Sequence, residues 1–366
     1  MTANRYSLRQ IVDISRAYGT FKGEINLTKE LKYENEGLLM DRHRIVVTYK
    51  VREERREFLK KITGDIAELS FLSDMPTGLR EQSLVGAEVL LTWNLPKEVG
   101  PSELSLLQNT RLVQLLSAGA DHVPFTNLPA KITIASNVGA YAEPMAEHIL
   151  ALVLALSKNL VREHQNLGKG TFNQSSLNRW VRGMSCGIIG FGGIGRAAAR
   201  LMQGLGMRIL ALNTSGRTGE HVDFIGTLMD LRYILSEADV VVISIPLTKA
   251  TRGLIGKREL EWMKNDAMLI NVARADIINE AALYYHLVSH PDFRAGIDAW
   301  WIEPYTYGEF KTAFPFFTLP NVIGSPHNSA IVSGIHEEST RQAMDNVMRF
   351  LRGDKIIGVI RREDYI

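Results

Sequence analysis

From Arg44 onward, apolar and polar positions fall into alternating blocks. RIVVTYKV, DIAELSFL, AEVLLTW, RLVQLLSAG and KITIASN are short runs rich in β-branched and apolar residues, the pattern of buried strands. Between the first two lies REERREFLKK, whose basic residues are mixed with Glu53, Glu54 and Glu57, so this helix reads as a solvated face rather than a binding patch. Asn94-Leu95-Pro96 reads as a turn. A long apolar helical pattern, EPMAEHILALVLALSKNLVREHQ, predicts one crossover helix around Glu143–Gln165, and the glycine- and asparagine-rich GKGTFNQSSLNRW after it reads as loop. A second series starts at Cys186: CGIIG, MRILALN, DVVVIS, AMLINV, FRAGIDA and NVIGS, separated by helical stretches such as RAAARLMQGL and EAALYYHLV. Strands alternating with helices imply βαβ units and parallel sheets, so the chain reads as two doubly wound α/β domains in tandem. In residues 1–43, only Leu8, Ile11, Val12 and Ser15 suggest a turn and a half of amphipathic helix, and the segment receives no function.

Composition narrows the classes. A length of 366 residues suits two domains, and 45% hydrophobic with 22% charged residues is the balance of a soluble globular protein. The net charge of +2 calls for no polyanionic partner, so nucleic acid is not expected. The most apolar run, ILALVLAL, falls short of the roughly 20 residues that span a bilayer, so no membrane association is expected. The one cysteine, Cys186, cannot form an intrachain disulfide and points to a reducing, cytoplasmic setting. The N-terminus lacks the apolar core of a secretory signal, and Asp13 and Glu24 argue against an organelle transit peptide.

Chemistry enters with GFGGIG. Gly190-x-Gly192-x-x-Gly195 follows a strand and opens a helix, the context a dinucleotide requires. Gly190 permits the tight turn, Gly192 lets the backbone approach a pyrophosphate, and Gly195 lets the helix pack on the strand. The N–H groups around Gly193 and Ile194 at the helix start then face the phosphates. NAD-binding versions carry an acidic residue about 20 positions on, at the tip of the next strand. MRILAL instead ends in Asn213-Thr214-Ser215-Gly216-Arg217-Thr218, with no carboxylate to repel a 2′-phosphate. Ser215, Arg217 and Thr218 are candidate donors to that phosphate, so NADP is expected in preference to NAD.

Three further stretches end strands at the same sheet edge. LINVARADIINE places Ala273 and Arg274 there, AGIDAWWIEPY places Asp298 and Glu303, and NVIGSPH places His327. Ligands of doubly wound folds bind outside the carboxyl ends of the strands, so these residues share the glycine turn's crevice. Other candidates carry less. His286 and His290 have helical metal-pair spacing without a third ligand, favouring a surface helix end, and no metal is expected. Cys186 reads as a buried small residue and Trp300 as core, while Trp93 and Trp301 fit either core or pocket.

The order of these motifs, GIIGFGGIG, INVAR, the D…EP of IDAWWIEP, and SPH, resembles the D-isomer-specific 2-hydroxyacid dehydrogenase family. LLSAGADHV and NVGAYAEPMAEH look like its substrate-domain loop and interdomain crossover. The resemblance covers Arg44 to the C-terminus. It implies two parallel-sheet domains, Rossmann-like and flavodoxin-like, the substrate domain being discontinuous (44–140 plus 331–366, with a returning helix near His336–Leu351) and the dinucleotide-binding domain 141–330. It also implies that Arg274 holds a substrate carboxylate, with backbone groups of Ala118 and Gly119. His327 would be the acid/base, and Glu303 would pair with it and favour its protonated form. Asp298 would contact the nicotinamide amide, and Pro246 and Leu247 the adenine pocket. The expected reaction is reduction of a small 2-oxo acid of the glyoxylate or hydroxypyruvate type, in a homodimer formed through the cofactor domain. A dinucleotide-sensing, corepressor-like protein of the same fold is the rival; a metal-dependent alcohol dehydrogenase would lack its ligands. Ala275-Asp276 and Asn328 depart from the family pattern, and Asp276 adds a negative charge near a site for an anion.

Overall fold

The computed structural model describes residues 42–366, and the helical turn expected at Leu8–Ser15 lies outside the described residues. The first sheet comprises β1 (His43–Val47), β2 (Ala67–Phe71), β3 (Val89–Thr92), β4 (Leu112–Leu115) and β5 (Thr133–Ala135). Its order is β2-β1-β3-β4-β5 with every pair parallel, the flavodoxin-like order. The second comprises β6 (Ser185–Ile189), β7 (Arg208–Leu212), β8 (Phe224–Gly226), β9 (Val240–Ile243), β10 (Met268–Asn271), β11 (Arg294–Ile297) and β12 (Val322–Gly324). Its parallel order, β12-β11-β10-β9-β6-β7-β8, reverses between β6 and β9, as in a Rossmann sheet.

Every residue of β3, β4, β6, β9 and β10 is buried, because helices cover both sheet faces. That double burial is why these strands read as largely apolar runs, although Gln114 is buried within β4. β8 is only the three residues Phe224–Gly226, too short to show a period. The helices Thr77–Gly86, Leu231–Glu237 and Lys257–Trp262 also lie outside the elements read from the pattern, and Asn94-Leu95-Pro96 opens a short helix, Leu95–Glu98, rather than a plain turn.

The crossover differs from its expectation. Instead of one helix there are two, Ala142–Ser157 and Leu160–Gly168, bent by 56°. Asn159 between them adopts φ 53°, a left-handed conformation that asparagine tolerates better than most residues. Its Nδ2 donates to Leu177 O and Asn178 Oδ1, tying the break to the following loop. The first helix buries Ala146, Ile149 and Val153 against Ala197, Ala198 and Met202 of the helix Gly193–Gly204. No single helix among the described residues is long and apolar enough to cross a membrane. After β12 the chain returns to the first sheet: the helix Ile335–Leu351 packs Ala343, Met344 and Val347 against Ile45, Val47 and Leu91, and Ile360 N donates to Ile134 O at 2.8 Å. The carboxyl ends of both sheets thereby border one cleft.

Candidate active site

Beyond β12 the chain turns through Ser325-Pro326-His327, and His327 takes φ 51°. A left-handed non-glycine residue costs about 1–3 kcal/mol, so surrounding contacts must impose it. Asp298 imposes it. Its peptide oxygen accepts from His327 N at 2.9 Å, while its carboxylate accepts from Ser325 Oγ (2.6 Å), Asn328 N (3.1 Å) and Ser329 N (3.2 Å). Burial pushes the Asp298 carboxyl up, but hydrogen bonds from Ser325 and Ser329 and the nearby His148 more than reverse this and hold it below the usual range. Because Ser325 Oγ donates to Asp298, His148 Nε2 donates to that hydroxyl, at 2.8 Å, extending the chain to the helix Ala142–Ser157. Asp298 is 0% exposed, so its side chain lies behind the surface of the cleft. Its carboxylate is committed to the histidine loop. Asp298→Ala is therefore expected to lower stability by about 2–5 kcal/mol in chemical denaturation, by stranding buried donors; an unchanged midpoint would show that the loop holds itself.

His327 Nδ1 donates to Glu303 Oε2 at 2.7 Å, since a carboxylate only accepts. Glu303 Oε1 accepts from Trp300 N at 2.6 Å, which fixes the carboxylate at both oxygens. With Nδ1 engaged, Nε2 is the ring nitrogen left for a reactant in the cavity that His327 lines.

Arg274 leaves the end of β10 and crosses the cleft. Its Nη1 donates to Ala273 O at 2.9 Å, and its Nε lies 3.2 Å from both carboxylate oxygens of Asp121. Nη2 rests on the loop after β4, beside Gly119 and next to Ala118: a Cβ on Gly119 would meet it at 2.5 Å, so a larger residue there would displace the guanidinium from this position. Burial raises the Asp121 carboxyl, but the Arg274 charge and hydrogen bond outweigh it and hold it below its usual range. Asp121 was not among the residues read as functional, although the loop LLSAGADHV was. The negative charge of Asp276 does not stand alone, because Arg252 Nη1 pairs with it.

The glycine turn lies at the reversal point of the second sheet. Gly190 has φ 106°, and a Cβ on Gly195 would sit 2.3 Å from Gly190 O, so the turn and the helix–strand packing both need glycine. Nothing lies within 4 Å of where a Gly192 Cβ would be. That open cradle, with the free N–H groups of the first helical turn at Gly193 and Ile194, fits a pyrophosphate. At the end of β7, Asn213 Oδ1 accepts from Ser215 N, Ser215 Oγ and Gly216 N, and its Nδ2 donates to Arg217 O. Asn213 thus shapes the loop with both ends of its amide, while Arg217 is exposed and Thr218 half-buried beside it. Pro246 is exposed and Leu247 buried.

Arg274, Glu303 and His327 line one cavity of about 910 Å³, joined by Trp93 and His122 from the first sheet's loops. His122 Nε2 is buried without a hydrogen-bond partner, and burial lowers the ring's pKa. Elsewhere, His286 is not a surface residue as expected: it is 9% exposed, packs edge-on against Phe293 and stacks on His290, and burial with the neighbouring His290 lowers it to about 4. Burial pushes the Cys186 thiol up to about 12, which makes it an inert core residue. Trp300 is core at 5% exposure, and Trp301 stacks on Phe316 at 5.6 Å. Among the described residues no group of three or more His, Cys, Asp or Glu side chains is arranged to hold a metal.

Residues 150–329 match the family model described as D-isomer specific 2-hydroxyacid dehydrogenase, NAD binding domain. A glycerate dehydrogenase of Methylorubrum extorquens is 30% identical over 280 residues, 74% of this chain and 85% of that protein. A glyoxylate reductase of Thermococcus gammatolerans is 30% identical over 262 residues, 69% of this chain and 77% of that protein. The solved structure of a D-lactate dehydrogenase from Aquifex aeolicus, complexed with NAD and lactic acid, superposes with a TM-score of 0.67 at 26% identity, over 85% of this chain and 96% of that one.

Proposed function

The chain belongs to the D-isomer-specific 2-hydroxyacid dehydrogenase family, and from that premise we propose that it interconverts a 2-oxo acid and a D-2-hydroxy acid at the expense of a nicotinamide dinucleotide. The observation that carries this reading is the convergence of Arg274, Glu303 and His327, far apart in sequence, on one cavity. A bound reduced nicotinamide supplies the hydride to the carbonyl carbon. The chain does the rest. The outer edge of the Arg274 guanidinium, with the Ala118–Gly119 backbone, holds the carboxylate and presents the carbonyl. His327 Nε2 gives a proton to the carbonyl oxygen in reduction and takes it back in oxidation. Glu303 keeps the ring's orientation through Nδ1, and its negative charge balances the positive charge of the protonated ring. Closure of the cleft between the two sheets excludes water around these groups.

In this reading, residues 44–140 and 331–366 form the substrate domain and 141–330 the dinucleotide-binding domain. The protein acts as a homodimer that covers the exposed Leu160, Phe172, Leu177 and Trp180 beside the crossover. The coenzyme is NADPH, because Ser215, Arg217 and Thr218 replace a carboxylate at the end of β7. Steady-state oxidation of NADPH and NADH against a panel of 2-oxo acids tests both halves. Turnover is expected, with kcat/KM for NADPH about tenfold above that for NADH. A tenfold advantage for NADH would remove the coenzyme assignment. Tight coenzyme binding without turnover of any acid would favour a dinucleotide sensor.

A further inference from the structure

The segment Pro304–Phe317, PYTYGEFKTAFPFF, carries more aromatic rings than a connecting loop needs. Phe316 is 0% exposed and belongs to the core. Tyr305, Tyr307, Phe310 and Phe317 do not: they are 56%, 62%, 51% and 59% exposed. All four line the cavity that holds Arg274, Glu303 and His327. Soluble proteins rarely gather open aromatic faces in one place unless something covers them.

The rings are assembled, not loose. Trp300 forms the floor, its Nε1 donating to Ser325 O at 2.8 Å. Phe317 lies 4.9 Å from it, Phe310 lies 5.8 Å from it, and the two phenylalanines are 6.0 Å apart. Gly324 makes room for this corner, since a Cβ there would meet Trp300 Cζ2 at 2.6 Å. Lys97, from the first sheet's side, places Nζ 4.3 Å over the Tyr305 ring, so the wall is engaged from across the cleft. Trp300 is also bonded through its backbone N–H to Glu303, which ties the aromatic corner to the proton-transfer pair.

We propose that this aromatic wall receives the side chain of the substrate, and that the substrate is a 2-oxo acid bearing a bulky, aromatic substituent. The proposal rests on the 2-oxo acid reductase reading and names its substrate class. The coenzyme does not account for the wall, because of the residues assigned to the dinucleotide beyond the reacting edge only Leu247 lines this cavity. Glyoxylate does not account for it either, having only a hydrogen on its carbonyl carbon where other 2-oxo acids carry a side chain. A planar ring would meet Phe310, Phe317 and Trp300 in the offset or edge-on contacts that aromatic side chains favour.

The test compares phenylpyruvate, 4-methyl-2-oxopentanoate, hydroxypyruvate and glyoxylate as substrates of the full chain with NADPH and NADH. Phenylpyruvate is expected to exceed glyoxylate in kcat/KM by about tenfold or more, since each added carbon in an apolar pocket discriminates by about 10–200-fold. Phe310→Ala and Phe317→Ala, both at exposed positions, are expected to lower the ratio of the two kcat/KM values at least about tenfold. A wild-type preference for glyoxylate or hydroxypyruvate, or a ratio that neither variant moves, overturns the proposal and leaves the reductase reading standing. Turnover of none of the acids overturns both.

Discussion

Replacing His327 with glutamine lowers the rate of 2-oxo acid reduction by about 10²–10⁴-fold, the range for loss of a positioned acid, and leaves coenzyme affinity unchanged. Glutamine can keep the hydrogen bond to Glu303 through its amide N–H, so the local shape is retained. It has no dissociable proton to give to the developing alkoxide. In the proposed reading the coenzyme is held by the turn Gly190–Gly195 and the loop 213–218, neither of which touches the histidine. The backbone is the point to watch, because His327 is held at φ 51° and glutamine adopts that region less readily. His327→Asn, a residue at ease there, serves as the companion variant. Single-turnover rates and a fluorescence titration with NADPH separate the outcomes. An unchanged rate removes the imidazole from the mechanism, and loss of NADPH binding in both variants means the loop has collapsed.

That loop also marks what the sequence could and could not disclose. β6, β9 and β10 announce themselves because both faces of each strand are covered, so apolar positions run unbroken through CGII, VVVI and MLI, with Ser185 and Asn271 only at the strand ends. The glycine turn is legible because its geometry excludes other residues. Arg274, Glu303 and His327 follow from strand ends in a doubly wound sheet, where topology alone places them at one edge. Asp298 ends a strand in the same way, but chain position only puts a residue at the edge, and side-chain direction decides how far it enters the cleft. Asp298 turns inward because three donors of the histidine loop and its flanks, Ser325 Oγ, Asn328 N and Ser329 N, meet its carboxylate. Asp121 escaped for a related reason. Its partner is 153 residues away, and no local pattern records an ion pair made across a cleft. His286 misled because two histidines at helical spacing look solvated until Phe293 is seen to cover one of them.

Arg274→Lys tests the pair that local pattern concealed, and it should cost far more than a charge-conserving change suggests. The guanidinium performs three tasks at once: Nε holds Asp121, Nη1 holds Ala273 O, and Nη2 lies against Gly119 where the carboxylate is to bind. A lysine ammonium is a single point and cannot serve all three. Asp121 remains ionised, since the positive charge opposite still favours its carboxylate, and it competes for that ammonium at close range. The substrate then meets a pocket whose cation is already engaged. The expected loss in kcat/KM is about 2–4 kcal/mol, or about 30- to 1,000-fold, carried mainly by KM. Adding Asp121→Asn to Arg274→Lys releases the ammonium and should recover about tenfold, whereas Asp121→Asn alone should weaken activity by loosening the arginine's Nε edge. Opposite signs for one substitution in two backgrounds are the signature of a residue that acts through its partner. If Asp121→Asn has the same effect in both, the carboxylate only supports its own loop, and orientation of the guanidinium must come from Ala273 and the glycine beneath it.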